Sequence, residues 1–463
     1  MSYQGFCSKR NYHDTPSKRH CRHFYSYTRN RKKNENTNAL RNYEYDVNSW
    51  ARKSKTRLRK HCKNLMLVLS NPIILHSGLH GMTGKKKWLD SRNSQNTKNE
   101  PHKKFYNESV KFMWENLRNI GDEIKKDIFT PGDYNQIKIP KIGKSGFRFI
   151  EVPPFETRIV ARAILRILEP ILDPDFYQFS IGFRPGYSIN HGLAIASEMY
   201  AMGHTHWVNV DIRNAFGSVP LDRLFEILKS RLYDSPIIPF VRKINGKKRK
   251  TGLTQGVPTS PFLLNIYLDH FLDQWWIKKM GVGQNYVRYA DDIAIFCKTK
   301  DEAISIYRTL SERMKVIGLP IKESETEAIK SLESGETVDW LGFHAKKVGN
   351  KLKFQLGESA WEKLEQRLAE SKIKKKVPYL TLEDDDMTIE IIDSWLIQKA
   401  PGIDISKVGQ AMNRINQLIA KYSLNKEKFL DLAYVKAIWE QGISLNYDAF
   451  NTVHNLINNL QSN

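Results

Sequence analysis

The chain has 463 residues, 40% hydrophobic and 11% aromatic, with a formal net charge of +23 and a sequence pI near 9.6. That length supports a sizeable core with two or three subdomains, and the charge calls for a polyanionic partner. No apolar run reaches the ~18–20 residues of a membrane span, and the basic N-terminus has no apolar stretch behind it to make a signal peptide. Four cysteines (Cys7, Cys21, Cys62, Cys297) at irregular spacing fit a reducing cytoplasm rather than a disulfide framework.

Residues 1–63 hold 17 Lys/Arg against 4 Asp/Glu, with Tyr12, Phe24, Tyr25, Tyr27, Tyr43, Tyr45 and Trp50 interleaved. Cations tether phosphates and rings stack unpaired bases, so the mixture suits RNA, against the plainer reading of a solvated arm. Cys7, His13, His20, Cys21 and His23 match no regular zinc-finger spacing. Residues 64–100 pair an apolar run, Leu65–Leu69, with a polar Gly/Ser/Asn/Lys stretch that reads as a loop or linker. Lys103–Ile128 has helical spacing, as do Arg158–Ile171, Leu221–Leu232 and Asp301–Ile317. Asn245-Gly246 reads as a hairpin turn, and Ser260-Pro261 as the cap and first turn of a helix over Phe262–Trp276. Past residue 345 strand signals fade; Ser359–Ser371, Ser406–Ser423, Lys426–Gln441 and Ala449–Leu460 look helical, and Glu383–Asp386 reads as an acidic loop. Lys372–Lys376 is either a phosphate contact or a solvated charge run. Strands alternating with helices, then helices alone, predict an α+β fold with a small antiparallel sheet.

The chemistry concentrates in Arg288-Tyr289-Ala290-Asp291-Asp292-Ile293. On a plain strand adjacent aspartates face opposite sides, and one is buried without a partner. The pair makes sense at the turn of a hairpin, with Tyr286–Tyr289 entering and Ile293–Phe296 leaving. Alone, an Asp-Asp turn is commonplace. About 80 residues upstream, however, the apolar strand Trp207–Val210 ends on Asp211. Carboxylates from separate strands are what two-metal phosphoryl transfer requires, with hard oxygen ligands suited to Mg²⁺. Between them, Thr254-Gln255-Gly256-Val257-Pro258 is an unusual loop: Gly256 permits close backbone approach, and Gln255 both donates and accepts.

These blocks, with Ile137-Lys138-Ile139-Pro140-Lys141, Gly146–Pro153, Thr157–Ala163, Leu168–Ile171, Gly182-Phe183-Arg184-Pro185-Gly186-Tyr187-Ser188 and Trp340-Leu341-Gly342-Phe343, resemble in order the reverse transcriptases of the bacterial group II intron-like lineage. The resemblance covers roughly residues 130–345. It implies a right-hand polymerase: a basic RNA-binding N-terminal extension (1–100), fingers and the start of the palm (101–205), the palm with the catalytic centre (206–345) and a helical thumb (346–463).

By the same resemblance Asp211 and Asp291 ligate two Mg²⁺ ions, with Mn²⁺ as a substitute, helped by the Ile212 carbonyl and supported by Asp292. Lys144 and Arg148 grip the incoming triphosphate, Gln255 lies along the nucleotide, and Phe216 is a steric gate selecting deoxynucleotides. Arg184, Tyr289, Trp340 and Gly342 contact primer or template. One block departs: in Gly318–Thr326, Glu325 stands where the family's lysine is expected, with Lys322 three residues before it. The implied partners are an RNA template, dNTPs and a DNA product, in the cytoplasm and without a membrane. No segment resembles the family's zinc-bearing endonuclease domain, and the retron hallmarks are missing. The chain is therefore similar to the antiphage-defence group, which copies a dedicated noncoding RNA. The alternatives are an intron maturase that mainly binds and folds RNA, and a protein-primed or nontemplated DNA polymerase.

Overall fold

The computed structural model describes residue 47 and residues 54–79, 102–140, 146–246, 249–281, 285–373, 384–421 and 429–461. The chain is α+β. A hairpin pairs β1 (Asn135–Pro140) with β2 (Phe147–Val152), antiparallel. The central sheet has the order β4-β5-β3-β6, all antiparallel, from β3 (His206–Asp211), β4 (Tyr286–Tyr289), β5 (Asp292–Cys297) and β6 (Ile329–Ser331). A third sheet joins β7 (Val338–Trp340), β8 (Phe343–Val348) and β9 (Lys351–Gln355). Residues 343–355 are thus a strand hairpin, and the expected palm boundary at 345 falls inside β8. Alternate residues along it (Phe343, Ala345) are buried, a period-2 signal interrupted by Lys346 and Lys347.

One hydrophobic core unites the sheet with the helices Phe155–Leu172, Ile189–Ala201, Leu221–Arg231, Ile237–Gly246, Ser260–Leu268 and Lys300–Val316. It also takes in the short helices Lys55–Lys63, Leu65–Leu69 and Pro72–Gly78, whose Leu58, Cys62, Leu65, Leu69 and Leu75 are buried in it. Residues 64–79 are therefore not a linker. Ser54 and Asn71 cap two of these helices, and Pro72 occupies a first-turn position where its missing N–H costs nothing. A second core is helical: Glu358–Ile373, Asp384–Lys399, Val408–Lys421 and Leu432–Gln461 close around Leu364, Trp395, Ile415 and Val435. The acidic run at 384–386 opens a helix, where its charge suits the N-terminal dipole. The last helix is continuous where the sequence suggests two. Gly442 does not break it, because a Cβ there would lie 2.6 Å from Ala400 Cβ; the glycine lets two helices touch.

Behind the central sheet, the helix from Ser260 to Met280 is interrupted by a π turn at Asp269–Asp273. The extra residue turns two acids inward, and both are fully buried. Asp269 pairs with Arg231 at 2.6 Å, and Asp273 pairs with Arg288 at 2.5 Å. Arg288 has no solvent exposure at all. Its Nη1 donates to Asn265 Oδ1 at 2.8 Å and to the Ala290 carbonyl at 3.0 Å, while Tyr286 Oη donates to Asp273 at 2.6 Å. Truncating one member of a buried pair strands the other charge, at a cost of about 3–5 kcal/mol. Arg288→Met is expected to lose about that much stability, and adding Asp273→Asn is expected to recover part of it. Chemical denaturation midpoints of the two variants check this; equal loss in both contradicts it.

Candidate active site

The site forms where three chain segments meet at the end of the central sheet. Register places Asp211, the last residue of β3, directly opposite Asp292, the first of β5. Asp291 lies in the two-residue turn between β4 and β5, and its carbonyl accepts the Ile212 N–H at 3.1 Å. Ala290, the other turn residue, has φ +60°, a left-handed conformation costing a non-glycine residue about 1–2 kcal/mol. Two contacts hold it there. Arg288 grips its carbonyl, and Gly182 lies so close that a Cβ on it would sit 2.2 Å from the Ala290 nitrogen. The glycine of the 182–188 block is thus a packing requirement of the Asp-Asp turn.

The third segment is Pro320–Ser324. The Lys322 N–H donates to the Asp211 carbonyl at 2.9 Å, and Lys322 Nζ lies 3.0 Å from Asp211 Oδ2. Glu323 Oε2 accepts the Asp211 N–H at 2.8 Å, and its Oε1 is 3.5 Å from Lys322 Nζ. Glu325, at the position where the resemblance expects lysine, pairs instead with Arg308 at 3.0 Å. The aspartate cluster therefore includes a carboxylate and a cation, Glu323 and Lys322, outside the expected site set. The only sequence signal for them was the departure of this block from the family pattern.

Burial and the charges of Asp211, Asp291 and Glu323 push the Asp292 carboxyl up to about 7, with Lys322 opposing. Carboxylates near one another, with no His or Cys, have the hard-oxygen chemistry that suits Mg²⁺ or Mn²⁺. Among the described residues no three acidic, His or Cys side chains form a ready-made cage. The aspartates stand on adjacent strand ends, with Asp211 drawn toward Lys322.

Phe216 begins just after Asn214, which is left-handed at φ +48°, and is half-buried on the short helix Ala215–Ser218. Its carbonyl accepts the Leu253 N–H at 2.7 Å, tying it to the Gln255 loop. Asn245 anchors that loop. It is buried at the end of a helix, not in a hairpin turn, and its Oδ1 accepts from Thr259 at 2.7 Å and Ser260 at 3.3 Å. Its carbonyl accepts from Thr254 at 3.2 Å. Thr259, rather than Ser260, is the residue before the helix Ser260–Leu268. The Gln255 carbonyl accepts the Glu151 N–H at 2.7 Å; Gly256, at φ +110°, leaves no room for a Cβ, which would meet the Glu151 carbonyl at 2.5 Å. The loop thereby links the β1–β2 hairpin to the helix Ser260–Leu268 and to Phe216.

The remaining expected contacts divide. Lys144 and the side chain of Arg148 lie outside the described residues, as do residues 1–46 with their Cys/His set, and the side chains of 372–376. Tyr289 pairs with Asp292 across the hairpin and is half-buried near Phe183. Gly342 is at φ +78° in the β7–β8 turn, against Lys399 Nζ. Arg184 and Trp340 do not reach a template surface. Arg184 is buried, bonded to Asp173 at 2.8 Å and to the carbonyls of Tyr177 and Ser180 at 2.8 and 2.7 Å. Trp340 is buried edge-on to Trp207. Both hold the architecture: the Arg184 guanidinium is spent on bonds inside the protein, and the Trp340 ring on packing against Trp207 and Phe296.

With this geometry in place, residues 139–345 match the family model of the reverse transcriptase (RNA-dependent DNA polymerase). The chain is 28% identical over 174 residues to the group II intron-encoded protein LtrA of Lactococcus lactis, covering 35% of this chain and 28% of that protein. It is 28% identical over 187 residues to the retron Ec86 reverse transcriptase of Escherichia coli (40% and 55%). It is 35% identical over 156 residues to an uncharacterized 91 kDa protein in the cob intron of Schizosaccharomyces pombe (32% and 19%). The chain thus spans less than two thirds of each of these relatives. Residues 139–345 thus resemble a reverse transcriptase domain, and the relatives they match include group II intron-encoded proteins.

Because the native pKa of Asp292 lies above its unfolded value, the metal-free protein loses stability as pH rises from about 4 to about 7, and the penalty is complete above that. Asp292→Asn is expected to stabilise the metal-free protein by on the order of 1–2 kcal/mol at pH 8 and by almost nothing at pH 4. Thermal melts in chelator at the two pH values check it; a gain that is the same at both rejects the electrostatic origin.

Proposed function

We propose that the chain is an RNA-directed DNA polymerase that builds cDNA from dNTPs on an RNA template. The observation carrying this reading is the convergence of Asp211, Asp291 and Asp292 at neighbouring strand ends, beside Phe216 and the Gln255 loop. Asp211, Asp291 and the Ile212 carbonyl would hold two Mg²⁺ ions, with Asp292 in support. Such ions lower the pKa of an attacking hydroxyl and neutralise a leaving pyrophosphate. The protein's own work is positioning. The hairpin presents the aspartates, Phe216 lies under the sugar and excludes a ribose hydroxyl, and the Gln255 loop aligns the nucleotide against the fingers. Lys144 and Arg148 would grip the triphosphate.

In its finer form the template is a dedicated structured noncoding RNA and the setting is cytoplasmic antiphage defence. The basic, aromatic N-terminal composition supports an RNA that the protein holds itself. No described helix is long and apolar enough to cross a membrane. A second reading, an intron maturase acting mainly through RNA binding, is favoured by the similarity to the group II intron-encoded protein LtrA and to nuclear intron maturase 2 of Arabidopsis thaliana, 27% identical over 130 residues (26% of this chain, 17% of that protein). Sequencing of copurifying RNA and DNA separates them: one defined RNA with complementary DNA supports the polymerase, and splicing of a flanking intron that survives Asp291→Asn supports the maturase.

Asp211→Asn and Asp291→Asn are each expected to lower primer extension on an RNA template at least about 10²–10³-fold, the loss of several kcal/mol of charge stabilisation, with the fold intact by circular dichroism. Extension at near wild-type rate in either variant rejects the assignment. Phe216→Ala is expected to retain DNA synthesis and raise ribonucleotide incorporation about tenfold or more, read from alkali-sensitive product. Unchanged sugar discrimination removes Phe216 from the gate.

A further inference from the structure

The helices behind the central sheet carry a group of cations and aromatic rings that polymerisation leaves unused. Arg223, on Leu221–Arg231, has its guanidinium 5.3 Å from the centre of the Phe271 ring. Arg313, on Lys300–Val316, lies 4.9 Å from the Trp275 ring and donates through Nε to the Phe271 carbonyl at 2.7 Å. Lys279 Nζ stands 5.6 Å from the same Trp275 ring. Phe271 and Trp275 are half-buried, while Arg223 and Lys279 are exposed.

Most acids of these helices are engaged elsewhere. Asp222 pairs with Arg242, Glu226 with Lys229, Asp269 with Arg231 and Asp273 with Arg288. Glu312 lines a shallow surface depression with Asp301, Ser305 and Arg308. Among the described residues, Arg223, Lys279 and Arg313 make no ion pair. Burial and the neighbouring charge of Arg223 hold the Arg313 guanidinium below its ordinary pKa. Like charges gathered without a counterion cost the free protein energy, and an anion would relieve them.

We infer that this face docks a single-stranded segment of RNA outside the stretch being copied. Two ring faces with cations beside each match a strand in which bases alternate with phosphates, since stacking takes any base and the cations take the backbone. An acidic peptide would use the cations and leave the rings idle. The inference rests on the RNA partner proposed above, and places a second contact on helices that contribute no carboxylate to the active site.

The test uses the full chain with its catalytic cleft saturated by an unlabelled preannealed primer–template duplex. Binding of a labelled oligo(U) of about 20 nucleotides is followed across a NaCl series. Arg223→Gln/Lys279→Gln keeps Arg313 on its carbonyl. It is expected to bind about tenfold more weakly, with the slope of log K against log salt reduced by about 1.4, and to extend the primer at the wild-type rate. In the unmutated protein, 4-thiouridine photo-cross-linking is expected to mark the peptide containing Phe271 and Trp275. Affinity and slope within twofold of wild type, no cross-link in that peptide, or equal competition by polyglutamate would each overturn the inference. Loss of primer extension in the unmutated protein with the cross-link retained would sink the polymerase reading and leave this surface standing.

Discussion

The Arg288–Asp273 ion pair is the constraint on which the catalytic geometry depends. A guanidinium without solvent exposure is tolerable only if its charge and donors are met inside, and here they are met by Asp273, Asn265 and the Ala290 carbonyl. The last of these matters for function. The same side chain that anchors β4 to the helix behind it also holds the turn residue preceding Asp291 in a left-handed conformation. Asp273 is available because a π turn rotates it inward. A backbone irregularity in one element thus supports a strained backbone in another, and the strain sits beside the reacting groups.

Around that anchor, small residues and buried amides serve as joints. Gly182 presses on Ala290, Gly256 lies against the Glu151 carbonyl, and Asn245 gathers Thr254, Thr259 and Ser260. Each joint brings a separate block of sequence to the aspartates without contributing chemistry of its own. Arg184 belongs with them: a motif position whose guanidinium is consumed in closing the loop 173–184.

Charge is handled differently at the two ends of the molecule's problem. Behind the central sheet buried acids are paired with arginines, as at Arg231–Asp269 and Arg288–Asp273. At the active site negative charge exceeds positive, so Asp292 resists ionisation and Lys322 supplies a partial counterweight. Elsewhere on the surface positive charge exceeds negative, in keeping with the +23 of the whole chain. Both imbalances suit the proposed polymerase, since each is corrected by a partner of the opposite sign.

The sequence by itself determined the elements with strong periodicity and the residues with unambiguous chemistry. The hairpin 286–297, the strand ending on Asp211, and the helices beginning near 155, 221 and 300 were legible because alternation and 3.6-residue spacing are local. So was the carboxylate set, since Asp-Asp at a turn has few other uses beside a matching strand end. The tertiary structure alone decided what depended on contacts far apart in the chain. Asn245-Gly246 carries turn residues yet ends a helix, because Asn245 finds Thr259 and Ser260 as partners. Gly442 is a helix contact, the short helices at 55–79 exist because a core lies beneath them, and Arg184 and Trp340 turn inward. Lys322 and Glu323 enter the catalytic cluster by the fold of their loop against β3. In these cases the residue's own propensity was weak or opposed, and partners brought close by the fold settled its role.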